Sequence, residues 1–522
     1  MSKPTKSAAP AAPAVGSPAN PLPTRLFLGA ACFFSGAAMM VIEISAARLL
    51  SPLFGNSVYT WTALIGVILI AFSVGGFLGG RLADRKAGLD VLGWLLAGVA
   101  LLTFFIPALS TWFGPMFAKG GLIDGPILFS LFLLAIPGAM LGAISPAAVR
   151  LYSLTTADTH IGGAAGMISM LGSLGSFVGT FLSGFFLLGR FGVQSIFIGT
   201  AVLLLALAVA AFFLNGRGAV AKSTRALSMN LVAGLIGALT TPAPVQGVIH
   251  QQESFYHRIQ VTDEGVSPNR RRLLKMDSTH EGGMNPDTGD LILAYQHYWR
   301  LAMLKEQPIR SALFIGAGAF GMPEEVSRTF PEATVDVAEL DPAVIEVGRK
   351  FFKLDEHPQV KAHAGDARHY LRTSGDKKWD LIFGDAYNGL QAIPSHLATK
   401  EFFQLVSDHL TPEGVYTMNV ITAVQGPHAE LLAGMLATLR EVFPHLEVFA
   451  VQGPRNQSQN VIVLASHQDL SSLIVDRTYP ATSWQGRLTR THVPKHYLPQ
   501  NGTVFTDDFN PVDAIIARGL LR

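Results

Sequence analysis

Three carboxylates stand where a sheet enzyme would use them. Glu339 ends the apolar run "TVDVAE", Asp366 follows "VKAHAG", and Asp385 ends "WDLIFGD". Ahead of them, "ALFIGAGAFGMPEE" (312–325) carries an apolar run into Gly316, Gly318 and Gly321, then opens a helix-like segment. Glycines there let a ligand approach the backbone and the helix N-terminus. Glu339 follows at about the 20-residue distance at which a carboxylate accepts both hydroxyls of a ribose. Asp366, with Ala367 beside it, is placed to accept from an adenine amine. A glycine turn alone is weak evidence, but three carboxylates each after its own strand predict a nucleoside site. The competing reading is that Asp366 and Asp385 only cap helices.

NAD and S-adenosylmethionine both fit these residues. "GDAR" (365–368), after a third strand, favours adenosylmethionine.

The elements that must hold these groups are legible as alternation. "SALFIGAG", "TVDVAELD", "VKAHAGDARHYL", "WDLIFGDAY" and "GVYTMNVI" read as strands, separated by helical patterns such as "PAVIEVGRKFF" and "KEFFQLVSDHL". That order predicts a parallel sheet covered on both faces, with ligands at the strands' carboxyl ends. Before it, "FYHRIQVTDE" (255–264) and "RRLLKMDS" (271–278) read as a hairpin, and "LILAYQHYWRLAMLK" (291–305) as an amphipathic helix.

The first half is different. The chain has 522 residues, 49% hydrophobic and only 15% charged, against roughly 25% charged in a soluble domain. The long uncharged runs lie in 26–245. Candidate spans of about 20 residues are 26–49, 60–82, 90–113, 123–148, 161–187, 193–215 and, weakest, 227–243. The first run is too long and starts too late for a cleaved signal peptide. "GGFLGG" (75–80), Gly172, Gly175 and Gly179 present small faces for close helix packing. Glu43 is an ionisable residue at depth and a functional suspect. Arg48, five residues on, is about 140° round the helix and can snorkel to the interface instead. The expected fold is therefore an α-helical transmembrane bundle followed by an α/β Rossmann-like domain of the adenosylmethionine-dependent transferase type, with a small β-hairpin subdomain at its start. The expected divisions are a disordered tail (1–22), a membrane domain of six to seven helices (23–245), the β subdomain with its linking helix (246–305) and the catalytic domain (306–522).

Net charge is +2, and no basic stripe with interleaved aromatics points to nucleic acid. The single cysteine, Cys32, excludes an intrachain disulfide and a cysteine metal cluster; no metal is expected. Lys3, Lys6, Arg25, Arg81, Arg85, Lys86, Arg150, Arg217, Lys222 and Arg225 fall on one side of the predicted bundle, and Arg48, Lys119 and Arg190 on the other. The positive-inside rule then puts the N-terminus in the cytoplasm. Seven spans would leave the soluble half outside; six would keep it inside.

Residues about 250–425 resemble spermidine synthase, the polyamine aminopropyltransferase. The matching order is "ESFYHRIQV", "RLLKMDS", "YQHY", "FIGAGAFG", "VAELDPAVIEVGRKFF", "HAGDARHYL", "DLIFGDAYNG", "TKEFF" and "LTPEG". The hairpin followed by a Tyr-Gln pair is the specific part. The whole chain resembles the bacterial form with a multi-spanning membrane domain, through "SGAAMMVIEISAARLLSPLFG" and "FTDDFNPVDAII". The resemblance implies that an amine attacks the carbon next to a sulfonium and methylthioadenosine leaves. Asp385 would be the base or amine-orienting group and Tyr295 its partner. Glu339 would hold ribose, Asp366 and Ala367 adenine, and Gly316, Gly318 and Gly321 the sulfonium side chain. His257, Gln296, Asn388 and His280 would lie near substrate.

Three departures bear on the substrate. Ala319 stands where the family's turn carries a carboxylate. Asn388 and Gly389 replace the second Asp and the Pro of its "DSxDP"-type loop. "STHEGG" (278–283) replaces its Gln, with His280 and Glu281 as polar substitutes. Fewer carboxylates weaken diamine binding, so the ligand is either decarboxylated or intact S-adenosylmethionine. Three functions follow: an aminopropyltransferase-like enzyme; a lyase that cleaves S-adenosylmethionine to methylthioadenosine and homoserine lactone without an acceptor; or a transporter or sensor whose domain binds the nucleoside. The expected partners are the lipid bilayer and a small substrate, with an amine acceptor and a homo-oligomer both compatible. The expected place is a bacterial inner membrane, crossed several times, with the soluble half in the cytoplasm where S-adenosylmethionine is made.

Overall fold

The computed structural model describes residues 21–55, 58–155, 161–216, 218–239, 247–305, 307–387 and 393–521. Most of the tail expected over 1–22 lies outside them. The helical half comprises α1 (Pro21–Phe54), α2 (Val58–Arg85), α3 (Leu89–Ala118), α4 (Gly121–Thr155), α5 (Ile161–Leu182) with a π turn Ser183–Leu187, α6 (Val193–Asn215) and α7 (Ala219–Leu239). Six of these, among the described residues, are long and apolar enough to cross a membrane; α7, which carries Lys222, Arg225 and Asn230, is not among them.

The small residues do what their spacing predicts. A Cβ on Gly75 would fall 1.9 Å from the Ala139 carbonyl oxygen, and one on Gly175 would fall 1.8 Å from that of Phe33. So α2 lies backbone-to-backbone on α4, and α5 on α1. Such contact replaces side-chain interdigitation with direct backbone packing.

The course of α7 sets the geometry of the whole chain. Lys222 pairs with Asp90 at 2.5 Å, Asn230 donates to the Ala97 carbonyl at 3.4 Å, and Gly234 faces Phe104. α7 therefore runs parallel to α3, away from the end that holds Arg25, Arg81, Arg85, Lys86, Arg150 and Lys222. The soluble half docks on the opposite end. Arg48 joins the two halves: its guanidinium donates to the carbonyls of Tyr256 and, at 3.3 Å, Ser254, and lies 3.8 Å from the Glu253 carboxylate. Ser51 donates to Asp277 at 3.3 Å. The Phe255 ring covers Gly189, where a Cβ would sit 1.9 Å from it.

The soluble half opens with a four-stranded antiparallel sheet, β1 (Val248–Glu253), β2 (Arg258–Glu264), β3 (Arg271–Met276) and β4 (Thr279–Met284), in sequential order. The hairpin read from sequence is its middle pair. The expected amphipathic α-helix is instead a 3₁₀ segment, Ala294–Lys305. The reason is its spacing: Tyr295, Tyr298, Leu301 and Leu304 are all buried, and a three-residue apolar repeat lines up on one face only at three residues per turn.

The main sheet follows, with β5 (Ser311–Ile315), α8 (Gly321–Thr329), β6 (Thr334–Glu339), α9 (Pro342–Phe351), β7 (Val360–Ala364), α10 (Ala367–Thr373), β8 (Trp379–Gly384), α11 (Lys400–Asp408), β9 (Leu410–Thr422), α12 (Glu430–Arg440), β10 (His445–Ala450) and β11 (Gln459–Ser466). The order is β10-β11-β9-β8-β5-β6-β7. Strands β5 to β9 are parallel, and β11 runs antiparallel to both its neighbours. Leu313, Phe314, Val335, Val337, Leu381 and Phe383 are completely buried, so helices cover both faces. The chain leaves β5 toward β6 on one side and returns as β8 on the other. That reversal opens a crevice at the carboxyl ends of a Rossmann-like sheet.

The helix contacts are stringent. Gly75→Val should disrupt the α2–α4 contact, because overpacking costs about 1–3 kcal/mol even where the surroundings adjust. The expected result is a lower thermal midpoint in detergent, read by fluorescence-detected gel filtration; an unchanged midpoint would show that the two helices can part.

Candidate active site

A cleft occupies the crevice, lined by the turn after β5 and by the ends of β6 and β8. Its floor is the turn after β5. Gly316 has φ +91 and Gly318 φ +48, conformations that glycine adopts at little cost. Space is equally decisive: a Cβ on Gly316 would lie 2.5 Å from the Asp385 carbonyl oxygen, and one on Gly318 would lie 2.6 Å from that of Glu281.

Most of the residues expected from the sequence line this cleft: Gly316, Gly318, Glu339, Asp366, Ala367, Asp385 and His257. Glu339 accepts backbone N–H bonds from Ala317 and Asp341, each at 2.9 Å. Its burial pushes its carboxyl up, against the pull of those two bonds. One carboxylate thus ties β6 to the glycine turn and keeps lone pairs toward the cleft. Asp366 does cap a helix, accepting from His369 N–H at 2.8 Å, and its other oxygen bonds His396 at 2.7 Å. Burial pushes its carboxyl up, but the bonds from His396 and the backbone outweigh that and hold it below the usual range. His257 bonds Asp277 at 3.0 Å, the residue that Ser51 of α1 also reaches.

Asp385 is the poised group. Burial raises its carboxyl to about 7, with the nearby Glu281 adding to the rise and bonds from Asn419 and Tyr295 opposing it. Asn419 donates at 2.8 Å. Tyr295 stands near Asp385, its hydroxyl donating to the Glu281 carbonyl at 3.4 Å; burial first, then the Asp385 charge, keeps that hydroxyl protonated. A carboxyl near 7 beside a neutral phenol is suited to take a proton at neutral pH.

Other expected positions fall elsewhere. Gln296 is buried below the turn, its amide oxygen accepting from Leu293 N–H at 3.1 Å; Gly321 starts α8 facing Leu291 and Gln296. Neither is in the cleft wall. His280 is exposed, and Glu281 lines the cleft instead, at an irregularity in the β3–β4 pairing where Lys275 stands opposite His280 and Leu274 opposite Gly282. Asn388 lies outside the described residues. Ala319 is buried against Gly282 rather than facing the cleft. Sequence reasoning missed Tyr387, whose hydroxyl donates to the Asn419 carbonyl and accepts from Ile421 N–H, as well as Asn419 and His396. Tyr387 had a signal, two residues after Asp385; the other two arrive from distant segments. Among the described residues no cluster of side chains fit for a metal ion is found.

The sheet order, the glycine turn and the poised acid define a Rossmann-like transferase. The spermine/spermidine synthase domain matches residues 296–474, so this part of the chain is similar to the spermidine synthases. A polyamine aminopropyltransferase of Vibrio vulnificus is 27% identical over 241 residues, covering 45% of this chain and 77% of the relative. Polyamine aminopropyltransferase 2 of Streptomyces coelicolor is 26% identical over 438 residues, 76% of this chain and 74% of the relative, and so spans the helical half too. A solved probable spermidine synthase of Corynebacterium glutamicum is 21% identical, with a TM-score of 0.38 over 47% of this chain and 85% of its own.

The acid's position has a linkage consequence. Between about pH 4 and 7 the folded state holds a proton on Asp385 that the unfolded chain has released. The unfolded state binds fewer protons there, so stability falls as pH rises, by at most about 1.4 kcal/mol per pH unit. Asp385→Asn should flatten this part of a denaturation-against-pH curve; an unchanged slope would assign it to other groups.

Proposed function

We propose that the chain is a membrane-bound aminopropyltransferase-like enzyme acting on decarboxylated S-adenosylmethionine and an amine. The buried Asp385–Tyr295 pair beside the glycine turn carries this reading. The amine nitrogen forms a bond to the carbon next to the sulfonium. The carbon–sulfur bond breaks, and its electron pair stays on sulfur as methylthioadenosine leaves. Asp385 takes the proton of the attacking amine, and Tyr295 orients the carboxylate. Glu339 holds the ribose; Asp366, steadied by His396, and Ala367 hold the adenine. Gly316 and Gly318 admit the sulfonium arm against the backbone, and His257 closes the wall facing the helical half. Gln296 supports the turn from below. The four-stranded sheet and 3₁₀ segment (246–305) cap the catalytic domain (306–522). The relatives' names support transfer to an acceptor and lend nothing to acceptor-free cleavage.

Purified protein given decarboxylated S-adenosylmethionine and a diamine should yield methylthioadenosine and an aminopropylated amine by mass spectrometry. Asp385→Asn should lower kcat about 10²–10⁴-fold, the usual scale for a general base, with Tyr295→Phe less severe. Methylthioadenosine formed equally well without amine would point to cleavage, and wild-type turnover untouched by both variants would remove the pair from the chemistry.

The side of the membrane follows from charge. The basic residues gather at the end of the bundle opposite the soluble half, and cytoplasmic loops are the positively charged ones. We read α7 as a seventh crossing and the catalytic domain as facing away from the cytoplasm, the reverse of the side expected from where S-adenosylmethionine is made. The native Cys32 is buried, so Val266→Cys, at a site 79% exposed, is a clean reporter. Intact cells should label with a membrane-impermeant maleimide. Labelling only after lysis would return the domain to the cytoplasm.

A further inference from the structure

The segment "FTDDFNP" (505–511) is distant from the glycine turn in sequence, yet it closes on the end of the cleft that holds Asp366. It starts in the core. Phe505 is fully buried, its carbonyl accepts from Lys400 N–H at 2.8 Å, and its own N–H donates to the Thr438 hydroxyl at 2.9 Å. Two residues on, Asp507 accepts from both ends of the Arg368 guanidinium, at 2.7 and 2.6 Å, and from the Thr399 hydroxyl at 2.9 Å. Its N–H donates to Glu401 at 3.0 Å. Asn510 donates to the Ser395 carbonyl at 2.6 Å.

These bonds meet the cleft wall from behind. Arg368 follows Asp366 and Ala367, both cleft residues, at the start of α10. Its buried guanidinium also donates to the His396 carbonyl at 3.2 Å. Pro394, His396 and Leu397 line the cleft too, on a segment whose own regular structure is one 3₁₀ turn, Ser395–Leu397. The carbonyls of Ser395 and His396 are thus each held from outside that segment, one by Asn510 directly and one through Arg368. The His396 ring in turn bonds Asp366 at 2.7 Å. The Arg368 bond holds the Asp507 carboxyl below the usual range, so the clasp is charged and intact at neutral pH. A guanidinium gripping both oxygens of a carboxylate fixes direction as well as distance.

We propose that residues 505–510 are a positioning strap for the nucleoside end of the cleft. Asp507, through Arg368, and Asn510, through Ser395, fix the 394–397 wall so that His396 and Asp366 meet an adenine ring in one geometry. The inference rests on the transferase reading above and adds the residues that set affinity for the nucleoside part of the substrate, as distinct from its reactive arm. Asp507 and Asn510 lie behind the wall, so they act on binding rather than on the proton and bond changes at Asp385. A wall already in place when the ligand arrives spares the cost of ordering it then.

Titration calorimetry with methylthioadenosine, on the full-length protein in detergent, reads the nucleoside end alone. Asp507→Ala should weaken binding about tenfold, the scale of one charged hydrogen bond. Asp507→Glu, which keeps the carboxylate, should recover most of that loss. In turnover, Asp507→Ala should raise KM for decarboxylated S-adenosylmethionine by a similar factor and leave kcat, and KM for 1,4-diaminobutane, within about twofold. Asn510→Ala spares the ion pair; it should move both readings in the same direction, and it carries the test if Asp507→Ala does not fold. If the folded variants bind methylthioadenosine as wild type does, the inference fails while the transferase reading survives on wild-type turnover. A loss shared by nucleoside, diamine and kcat alike, with a lower thermal midpoint, would make the strap structural only and overturn the inference as well. If wild type neither binds methylthioadenosine nor turns substrate over, both fail.

Discussion

The site depends on how closely three backbones approach at one turn. Gly316 lies under the carbonyl after β8, Gly318 under the carbonyl of Glu281, and Gly282 over Ala319. A side chain at any of these glycines would separate the small sheet, the turn and the end of β8. With none there, Glu281, Tyr295 and Asp385 converge on one buried spot although they come from three elements. Their convergence is what lifts Asp385 toward neutrality, since removal from water and a second carboxyl act in the same direction.

The same geometry links the cleft to the helical half. Arg48 and Ser51, near the end of α1, bond the segment 253–256 and Asp277. Asp277 in turn holds His257 in the cleft wall. Burial pushes the Asp277 carboxyl up, but His257, the Arg258 N–H and the Arg48 charge outweigh it and keep it below its usual range, so this joint stays ionised and bonded at neutral pH. The helical half is therefore a wall of the site's surroundings as well as an anchor. A joint made of a guanidinium on backbone carbonyls is rigid, because the fork fixes both direction and distance.

Much of the fold was readable. Strand–helix alternation and punctuation by Gly, Asp and Pro placed β5 to β9, because a sheet buried on both faces demands continuous apolar runs. Glu339, Asp366 and Asp385 were readable for the same reason: each ends such a run. Tyr295 was visible only through the family resemblance. Gln296 next to it turned out to support the turn, since on the 3₁₀ segment neighbouring residues point in different directions. His280 and Glu281 show the sharpest limit. Both are polar and adjacent, and an irregularity in the β3–β4 pairing, set by the partner strand, decides which enters the cleft.

The sequence by itself determined the two halves, the order of the sheet elements, the glycine turn and the carboxylates at the strand ends, because these follow from local periodicity and residue type. Tertiary structure alone decided that Asn419 and His396 would brace those carboxylates, that α7 would run beside α3 and carry the soluble half to the charge-poor end, and that Ala319 would be sealed beneath β4. Each of these depends on contacts between segments far apart in the chain, and no local pattern encodes which distant backbone will come to rest against a given turn.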